Sequence, residues 1–407
     1  MKESTARIAI VGAGPVGLAI AALLSAGPGA PAFEVQVFDG GPAPRWSADD
    51  WDLRVYALSR ASQGLLEALG IWTVIESHRA CPYRRMHVWE GATSRGPSSI
   101  DFDCAAIGEP DLGHIVEDNL LRRTLYDFIK TRPGVTVYTD TIVEGVRKAG
   151  RGTELQLGAG GTATADLLIA ADGGSSRIRE LLNFPVAVHD YAQHALVTHV
   201  ASELPHGSTA LQRFLPGGPL AFLPLTDGRS SVVWSVPNTL AVELARASDA
   251  EFLARLQIAS CGALGRLGPC TARVALPLQL LHALQYTRSG VALVGDAAHC
   301  VHPLAGQGMN LGLLDAMCLA QELIRGRSMG LAVGDAAVLR RYERRRKGDN
   351  VRMMLSFDML DRLFRLPGWA SPARGLGMAL VDSSGLAKRS LMCKALGLEH
   401  TSARAAG

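Results

Sequence analysis

The stretch Gly12-Ala13-Gly14-Pro15-Val16-Gly17 constrains the fold most. It stands between Arg7 to Val11, a β-branched run with strand character, and Val16 to Ser25, a run of small and apolar residues with helical character. A second strand-like run follows from Glu34 to Phe38. A G-x-G-x-x-G turn in this setting predicts the opening of a βαβ unit that binds a dinucleotide. Gly12 permits the tight turn and Gly14 lets the backbone approach a pyrophosphate. Pro15 and Val16 open the helix, and Gly17 lets helix and strand pack closely. The helix N-terminus offers amide donors and a partial positive charge to the phosphates. Asp39, at the end of the second strand, is placed to accept from a ribose hydroxyl. Without its strand, helix and acid, the pattern would read as no more than a tight turn.

Two further motifs carry chemistry. Asp166 to Ala171 is a continuous apolar run that suits a strand buried on both faces, and it ends in Asp172-Gly173-Gly174-Ser175-Ser176. Taken alone, this reads equally well as a strand-end turn or as a site that exposes Asp172. The third motif is Gly295-Asp296-Ala297-Ala298-His299, then Pro303, Gly306-Gln307-Gly308-Met309-Asn310 and Gly312. Here a strand, Val291 to Val294, delivers a carboxylate suited to a polyol. A glycine loop then opens a helix, Asn310 to Ile324, whose amides can face an electron-rich ring or an anion.

Helical spacing returns at Ala61 to Leu69 and Leu120 to Ile129, and parallel-sheet character is expected to persist to about residue 185. From 186 to 276 the style changes. Leu196 to Val200, Leu211 to Leu215, Leu220 to Leu225 and Ser231 to Val236 read as strands of a mostly antiparallel insert. After Pro367 the residues mix small, apolar and basic types in short helices.

The 407 residues, 48% hydrophobic and 19% charged, suffice for a globular enzyme of about two joined domains. Lys and Arg number 41 against 38 for Asp and Glu, so the net charge of +3 gives no basis for a nucleic-acid partner. Seven scattered cysteines without a C-x-x-C pair fit reduced thiols in the cytoplasm. The apolar N-terminal run lacks a small-residue cleavage site, and no stretch of about 18 apolar residues predicts a membrane span.

With these motifs in order, the chain resembles the class A flavoprotein aromatic hydroxylases, and among them the ubiquinone-biosynthesis ring hydroxylases. The closer resemblance rests on Trp51-Asp52-Leu53-Arg54-Val55-Tyr56-Ala57-Leu58-Ser59, on Leu69-Gly70-Ile71-Trp72, on Gly113-His114-Ile115-Val116-Glu117, and on the run from His302 to Leu313. Where that group carries Asn directly after Glu, this chain has Asp118, with Asn119 one position later. The resemblance implies an α/β fold with a Rossmann-like FAD-binding domain of the p-hydroxybenzoate hydroxylase type, discontinuous over residues 1–75, 98–185 and 277–345. It also implies a mostly antiparallel substrate domain over 76–97 and 186–276, and a C-terminal helical region over 346–407.

FAD bound non-covalently, NAD(P)H as a visiting co-substrate and O2 are the implied cofactors. The implied reaction is hydroxylation of an electron-rich phenol through a flavin C4a-hydroperoxide. By the same resemblance Asp296 would contact the ribityl chain. Pro303, Gly306, Gln307, Gly308, Met309 and Asn310 would lie beside the isoalloxazine, and Arg54 would contact the flavin. Arg123 would stand on the cofactor side, and Asp172 with Ser176 and Arg179 would serve both FAD and NAD(P)H. The implied partner is a polyprenylated phenol, with peripheral contact at the inner membrane or with a quinone-biosynthesis complex left open.

His299 and His302 lack a third ligand at metal-like spacing, so no metal site is expected. His302 is a candidate for assisting phenol deprotonation beside Pro303, with a structural hydrogen-bonding role as the alternative. The cluster Arg340 to Lys347 reads either as a solvated helix face or as a surface for acidic membranes, and the Met-rich stretch Met353 to Phe364 either as core or as a prenyl-chain wall. Two other readings remain open: hydroxylation of a small soluble phenol, and a non-catalytic flavin-binding scaffold.

Overall fold

In the computed structural model, which describes residues 5–26, 33–94, 96, 98–150, 152–158, 160–301, 306–366 and 368–398, the strand Ala6–Val11 lies inside a six-stranded sheet. Its order is Thr287–Arg288, Val291–Leu293, Leu167–Ala170, Ala6–Val11, Phe33–Phe38 and Val135–Tyr138. All neighbours pair in parallel except the edge hairpin of Thr287–Arg288 with Val291–Leu293. The strands are continuous apolar runs because helices and a second sheet leave little of either face to water: Ile8, Ile10, Leu168, Ile169 and Leu293 are at most 1% exposed. Helix Pro15–Ser25, rich in alanine, packs against both Asp118–Lys130 and Gln307–Ser328. The apolar run before Asp172 and the one before Gly295 thus become adjacent parallel strands whose carboxyl ends lie side by side.

Parallel character does not persist to residue 185. Val143–Ala149, Gly152–Leu157 and Thr162–Ala165 form a separate antiparallel meander ahead of Leu167–Ala170. Its strands alternate polar with apolar residues, the signature of a sheet wet on one side, and Arg147 faces Glu154 across the pair.

The insert is a mostly antiparallel sheet, in which Thr209–Leu215 pairs in parallel with Arg85–Glu90. Val186–Ser202 runs between Val274–Ala283 and Ser230–Pro237, and the order continues through Gly218–Pro224 and Thr209–Leu215 to Arg85–Glu90 and Ser99–Asp103. This sheet therefore takes in strands on both sides of residues 97 and 276. One face buries Leu196, Val200, Phe222, Val232 and Trp234 against helices Asn238–Arg246 and Asp249–Ser260, which the strand-like reading of the insert does not anticipate. The second helix is started by a capping box of Ser248 with Glu251.

Helix Ala336–Arg365 runs unbroken through residue 346. It leaves the nucleotide-binding sheet and reaches the antiparallel one, where Phe364 stacks on Phe214 with ring centroids 3.7 Å apart. Ser371–Ser383 and Gly385–Leu396 follow, burying Met378, Met392 and Leu396. Arg374, buried, fixes this end of the chain. Its Nε donates to Glu90 Oε1 and Oε2 at 3.0 and 2.9 Å, and its Nη1 donates to the Leu366 carbonyl at 3.1 Å.

The tightest backbone approach is in the first turn. A Cβ on Gly17 would stand 2.0 Å from the Gly12 carbonyl oxygen, and one on Gly12 would stand 2.3 Å from that of Ala171. Gly17→Ala should therefore destabilise the protein by about 1–3 kcal/mol, the range for overpacking a close contact. Chemical denaturation against the native chain checks this, and an unchanged midpoint would show that the turn can relax.

Candidate active site

The three motifs meet at the carboxyl ends of the parallel strands. Gly12, with φ of +108°, turns the chain out of the first strand, and Gly14 caps helix Pro15–Ser25. A Cβ on Gly14 would meet no atom within 4 Å, unlike one on Gly12 or Gly17. Gly14 is thus the glycine whose backbone faces open space, as a phosphate cradle requires. Asp39 braces this loop, its Oδ2 accepting from the Ala13 amide at 2.6 Å and its Oδ1 from the Gly41 amide at 2.8 Å. Val16 fills a notch left by two other glycines, since a Cβ on Gly312 would lie 2.7 Å from Val16 Cγ2 and one on Gly295 3.2 Å from it.

A cleft of about 420 Å³ runs from Asp39 past Gly14 to Asp296, bordered by Arg122 and Asp172. Asp172 is shaped by its own helix: Oδ1 accepts from Ser176 Oγ at 2.5 Å and Oδ2 from the Ile178 amide at 3.0 Å. Burial pushes the carboxyl groups of Asp172 and Asp296 up, and at Asp296 the His299 ring and the Arg54 guanidinium oppose that shift. Arg54 lies over the Tyr56 ring, 5.4 Å from its centroid, and the Tyr56 hydroxyl donates to Asp118 Oδ1 at 2.7 Å. The nearby Tyr56, Asp118, Asp296 and Asp52 groups hold the Arg54 guanidinium protonated, raising its pKa against the effect of burial.

Beyond Arg54 opens a far larger cavity of about 1630 Å³. Its floor is the antiparallel sheet, through Ala195, Val197, Ala221, Leu223 and Val233, and its far wall is the C-terminal helices, through Phe357, Phe364, Met378 and Leu396. Gly306, Gln307, Gly308 and Met309 border its near end, where helix Gln307–Ser328 begins from Gly306 at a φ of +63°. Arg54, Tyr56, Asp296 and Met309 border both the cleft and the cavity. A ligand with a nucleotide in the cleft would therefore place its other end at the head of an apolar chamber.

Three expected residues make other contacts. Arg123 points away from the cleft, with Nε donating to Asp127 Oδ2 at 2.6 Å; its neighbour Arg122 faces the cleft and donates to the Ala13 carbonyl at 3.2 Å. The helical period decides this, because adjacent positions point about 100° apart. Asn310 is 2% exposed and saturated internally. It accepts from the Ser59 amide at 2.9 Å and from Ser62 Oγ at 2.7 Å, and donates to the Ala57 carbonyl at 2.8 Å. It clamps the glycine-loop helix to strand Val55–Leu58 instead of facing a ligand. Arg179 is likewise a brace, donating to the Gly174 and Ala297 carbonyls. His302 and Pro303 lie outside the described residues.

The sequence reading passes over Asp315. This fully buried carboxylate accepts from His299 Nε2 at 2.6 Å, Arg346 Nε at 2.7 Å, Asn350 Nδ2 at 3.1 Å and the Gly295 amide at 3.2 Å. Its only signal was position, five residues past Asn310 on the helix that the glycine loop opens. Burial alone would push its carboxyl up, but the His299 ring and the Arg346 guanidinium outweigh that and hold it at about 2.

Asp315→Asn leaves the buried Arg346 guanidinium with only the more exposed Asp349 carboxylate, 3.4 Å away, among the described residues, and should destabilise the protein by about 3 kcal/mol at neutral pH. The folded carboxyl lies below the unfolded value of about 3.9, so its contribution is present above that pH and is lost as pH falls toward 2. Denaturation midpoints followed from pH 6 to pH 3 should therefore converge for the native and Asn proteins. Parallel curves would contradict the assignment.

The family described as FAD binding domain matches residues 5–354. Among curated proteins, the chain is 37% identical to the 3-demethoxyubiquinol 3-hydroxylase of Escherichia coli (strain K12), over 98% of this chain and 100% of that one. It is 34% identical to the ubiquinone hydroxylase UbiL of Rhodospirillum rubrum, over 97% of this chain and 90% of that one. Among solved structures, p-nitrophenol 4-monooxygenase PnpA from Pseudomonas putida DLL-E4 superposes with a TM-score of 0.78 at 19% identity, over 96% of this chain and 98% of that one, which shows a shared fold. The Gly14 cradle, the cleft leading to Asp296 and these matches agree: the chain belongs to the FAD-binding monooxygenase family that includes the ubiquinone hydroxylases.

Proposed function

We propose that this protein is an FAD-dependent monooxygenase that hydroxylates the aromatic ring of a polyprenylated phenol, a precursor in ubiquinone biosynthesis, using NAD(P)H and O2. The observation that carries this reading is the meeting of the polar cleft and the apolar cavity at Arg54, Tyr56, Asp296 and Met309. Gly14 and the helix behind it would hold the pyrophosphate, Asp39 a ribose and Asp296 the ribityl hydroxyls. Arg54 and the amides of Gly306 to Met309 would flank the ring system. Bound FAD supplies oxygen activation with electrons drawn from NAD(P)H. The protein's own work is to orient the substrate ring at the head of the cavity and to keep water out while oxygen is transferred. Apolar walls on both the sheet and the C-terminal helices serve the second need.

The extent of the cavity favours the prenylated substrate. Its volume of about 1630 Å³ takes in the near end where the flavin ring would lie, and beyond that end apolar side chains continue to Phe357 and Met378. A phenol with an isoprenoid chain uses the space: ring near Arg54, chain toward Phe357 and Met378.

Leu363, Leu366, Trp369 and Leu391 border the cavity and are also 40–79% exposed. The apolar rim they form supports peripheral contact with a lipid surface from which an apolar substrate would enter. No helix among the described residues is long and apolar enough to cross a membrane.

Purified protein loaded with FAD should oxidise NAD(P)H faster with a prenylated phenol than with the same phenol lacking the chain, with product formed in step. Cells lacking the protein should accumulate an under-hydroxylated prenyl phenol that complementation removes. Equal turnover with the bare phenol would favour the small-substrate reading, and no flavin reduction under any condition would favour the scaffold. For the rim, the native protein should sediment with vesicles of zwitterionic and anionic phospholipid. Replacing Trp369 and Leu391 by Ser should weaken that several-fold while leaving flavin content unchanged, and equal sedimentation would remove the rim from the account.

A further inference from the structure

The sheet that floors the cavity is largely apolar, with polar side chains at Gln212, Gln279 and Ser231. Ala195 and Val197 face the cavity from strand Val186–Ser202. Side chains alternate along a strand, so His199 follows them on the same face. His199 pairs in register with Ser231, and Ser231 with Leu223 on the next strand. Ser231 and Leu223 border the cavity, as do Val233 and Ala221 one step along. His199 and Ser231 are both 0% exposed.

Three polar atoms here have no hydrogen-bond partner among the described residues: both ring nitrogens of His199, and Ser231 Oγ. The Leu53 backbone lies close enough to favour a protonated ring but completes no bond with it. A buried donor or acceptor left unmade costs about 1–3 kcal/mol. An adjacent pair of such residues in the cavity floor therefore calls for a partner that the described residues do not supply. The pair lies under the segment that leads to the cleft: the Trp51 indole stands edge-on to His199 with centroids 6.2 Å apart, and Trp51, Asp52, Leu53 and Arg54 all border the cavity. Burial and the nearby Arg229 guanidinium hold His199 down at about 4, so near neutral pH its ring offers one donor and one acceptor.

We infer that His199 and Ser231 form the subsite that binds the oxygen substituents of the substrate ring, and so determine which ring carbon is presented for hydroxylation. The inference rests on the ring-hydroxylation reading and deepens it. A phenolic hydroxyl donates to the acceptor nitrogen of His199 and accepts from the Ser231 hydroxyl, the two residues being register partners on neighbouring strands. Between them they fix rotation of the ring about its prenyl axis, which apolar walls alone would leave free. A trapped water would satisfy the same atoms, and the experiment separates the two.

The probes are a phenol bearing one isoprene unit and the methyl ether of that phenol, titrated into the FAD-loaded protein and followed by the change in flavin absorbance. Product position is read by mass spectrometry and NMR. The native protein should bind the phenol more tightly than the ether. Ser231→Ala and His199→Gln should each shrink that preference by about three- to tenfold, the worth of one neutral hydrogen bond, and yield mixed ring positions. Ser231→Thr, which keeps the hydroxyl, should retain both properties.

Ser231→Ala removes a single buried oxygen and keeps the test available should His199→Gln lose flavin. If Ser231→Ala binds flavin normally with unchanged preference and a single unchanged product, the inference is overturned and a structural water explains the pair. If neither probe perturbs the native flavin or stimulates NAD(P)H oxidation, the ring-hydroxylation reading itself fails and takes this inference with it.

Discussion

Everything at the candidate active site leans on one buried carboxylate. Asp315 gathers an amide from the Gly295 turn, the His299 ring and two side chains from helix Ala336–Arg365 onto its two oxygens. These donors come from two distant stretches of chain, Gly295 to His299 and Arg346 to Asn350, that share no local reason to meet. Desolvating a carboxylate and a guanidinium together is unfavourable unless the geometry is good and the remaining lone pairs are filled, and here both oxygens are filled. The arrangement positions Asp296, one residue from an amide that Asp315 holds. It also ties the helix that continues to the far wall of the cavity into the nucleotide-binding half.

Once that anchor is in place, the two sheets divide the work by their chemistry. The parallel sheet ends its strands in turns where backbone amides and carboxylates are exposed together, a polar environment suited to a dinucleotide. The antiparallel sheet buries one face against its own helices and turns the other toward the cavity, where alternation puts Ala195, Val197, Ala221, Leu223 and Val233 in one apolar plane. Strand Val55–Leu58 and the start of helix Gln307–Ser328 stand at the seam, held together by Asn310. That clamp explains a glycine at 306: a Cβ there already stands 3.1 Å from Ala57 Cβ, and a larger residue would push strand and helix apart.

The nucleotide-binding half was legible because its signals are local. Gly12, Gly14 and Gly17 each have a steric reason within a few residues, and buried parallel strands read as plain apolar runs. The βαβ opening and the antiparallel strands of the insert followed from apolar patterns and turn residues, while the α/β class as a whole was implied by the family resemblance. What sequence could not show depends on contacts between distant segments. Arg122 and Arg123 are indistinguishable in a sequence, and only the phase of the helix against Ala13 separates them. Asn310 lies within a glycine-rich loop that resembles a ligand site, yet its bonds go to Ser59, Ser62 and Ala57, some 250 residues earlier in the chain. The two helices of the insert were hidden because their apolar faces are short and bury against a sheet, not against each other.

The C-terminal segment was the least readable, and the reason is physical. Its apolar residues serve two masters, packing on the sheet edge through Met378 and Met392 while leaving Leu363, Trp369 and Leu391 at the cavity rim. A helix with one dry face and one partly exposed apolar face shows no clean period. Such a wall cannot be held by hydrophobic contact alone, because the cavity beside it removes half of the packing partners that a core residue would have. The Arg374 ion pair with Glu90 adds to that packing: it is directional and nearly dry, and it anchors the far wall to strand Arg85–Glu90 without filling the chamber beside it. A large apolar cavity thus persists because a polar bond supplements the apolar packing that holds its far wall in place.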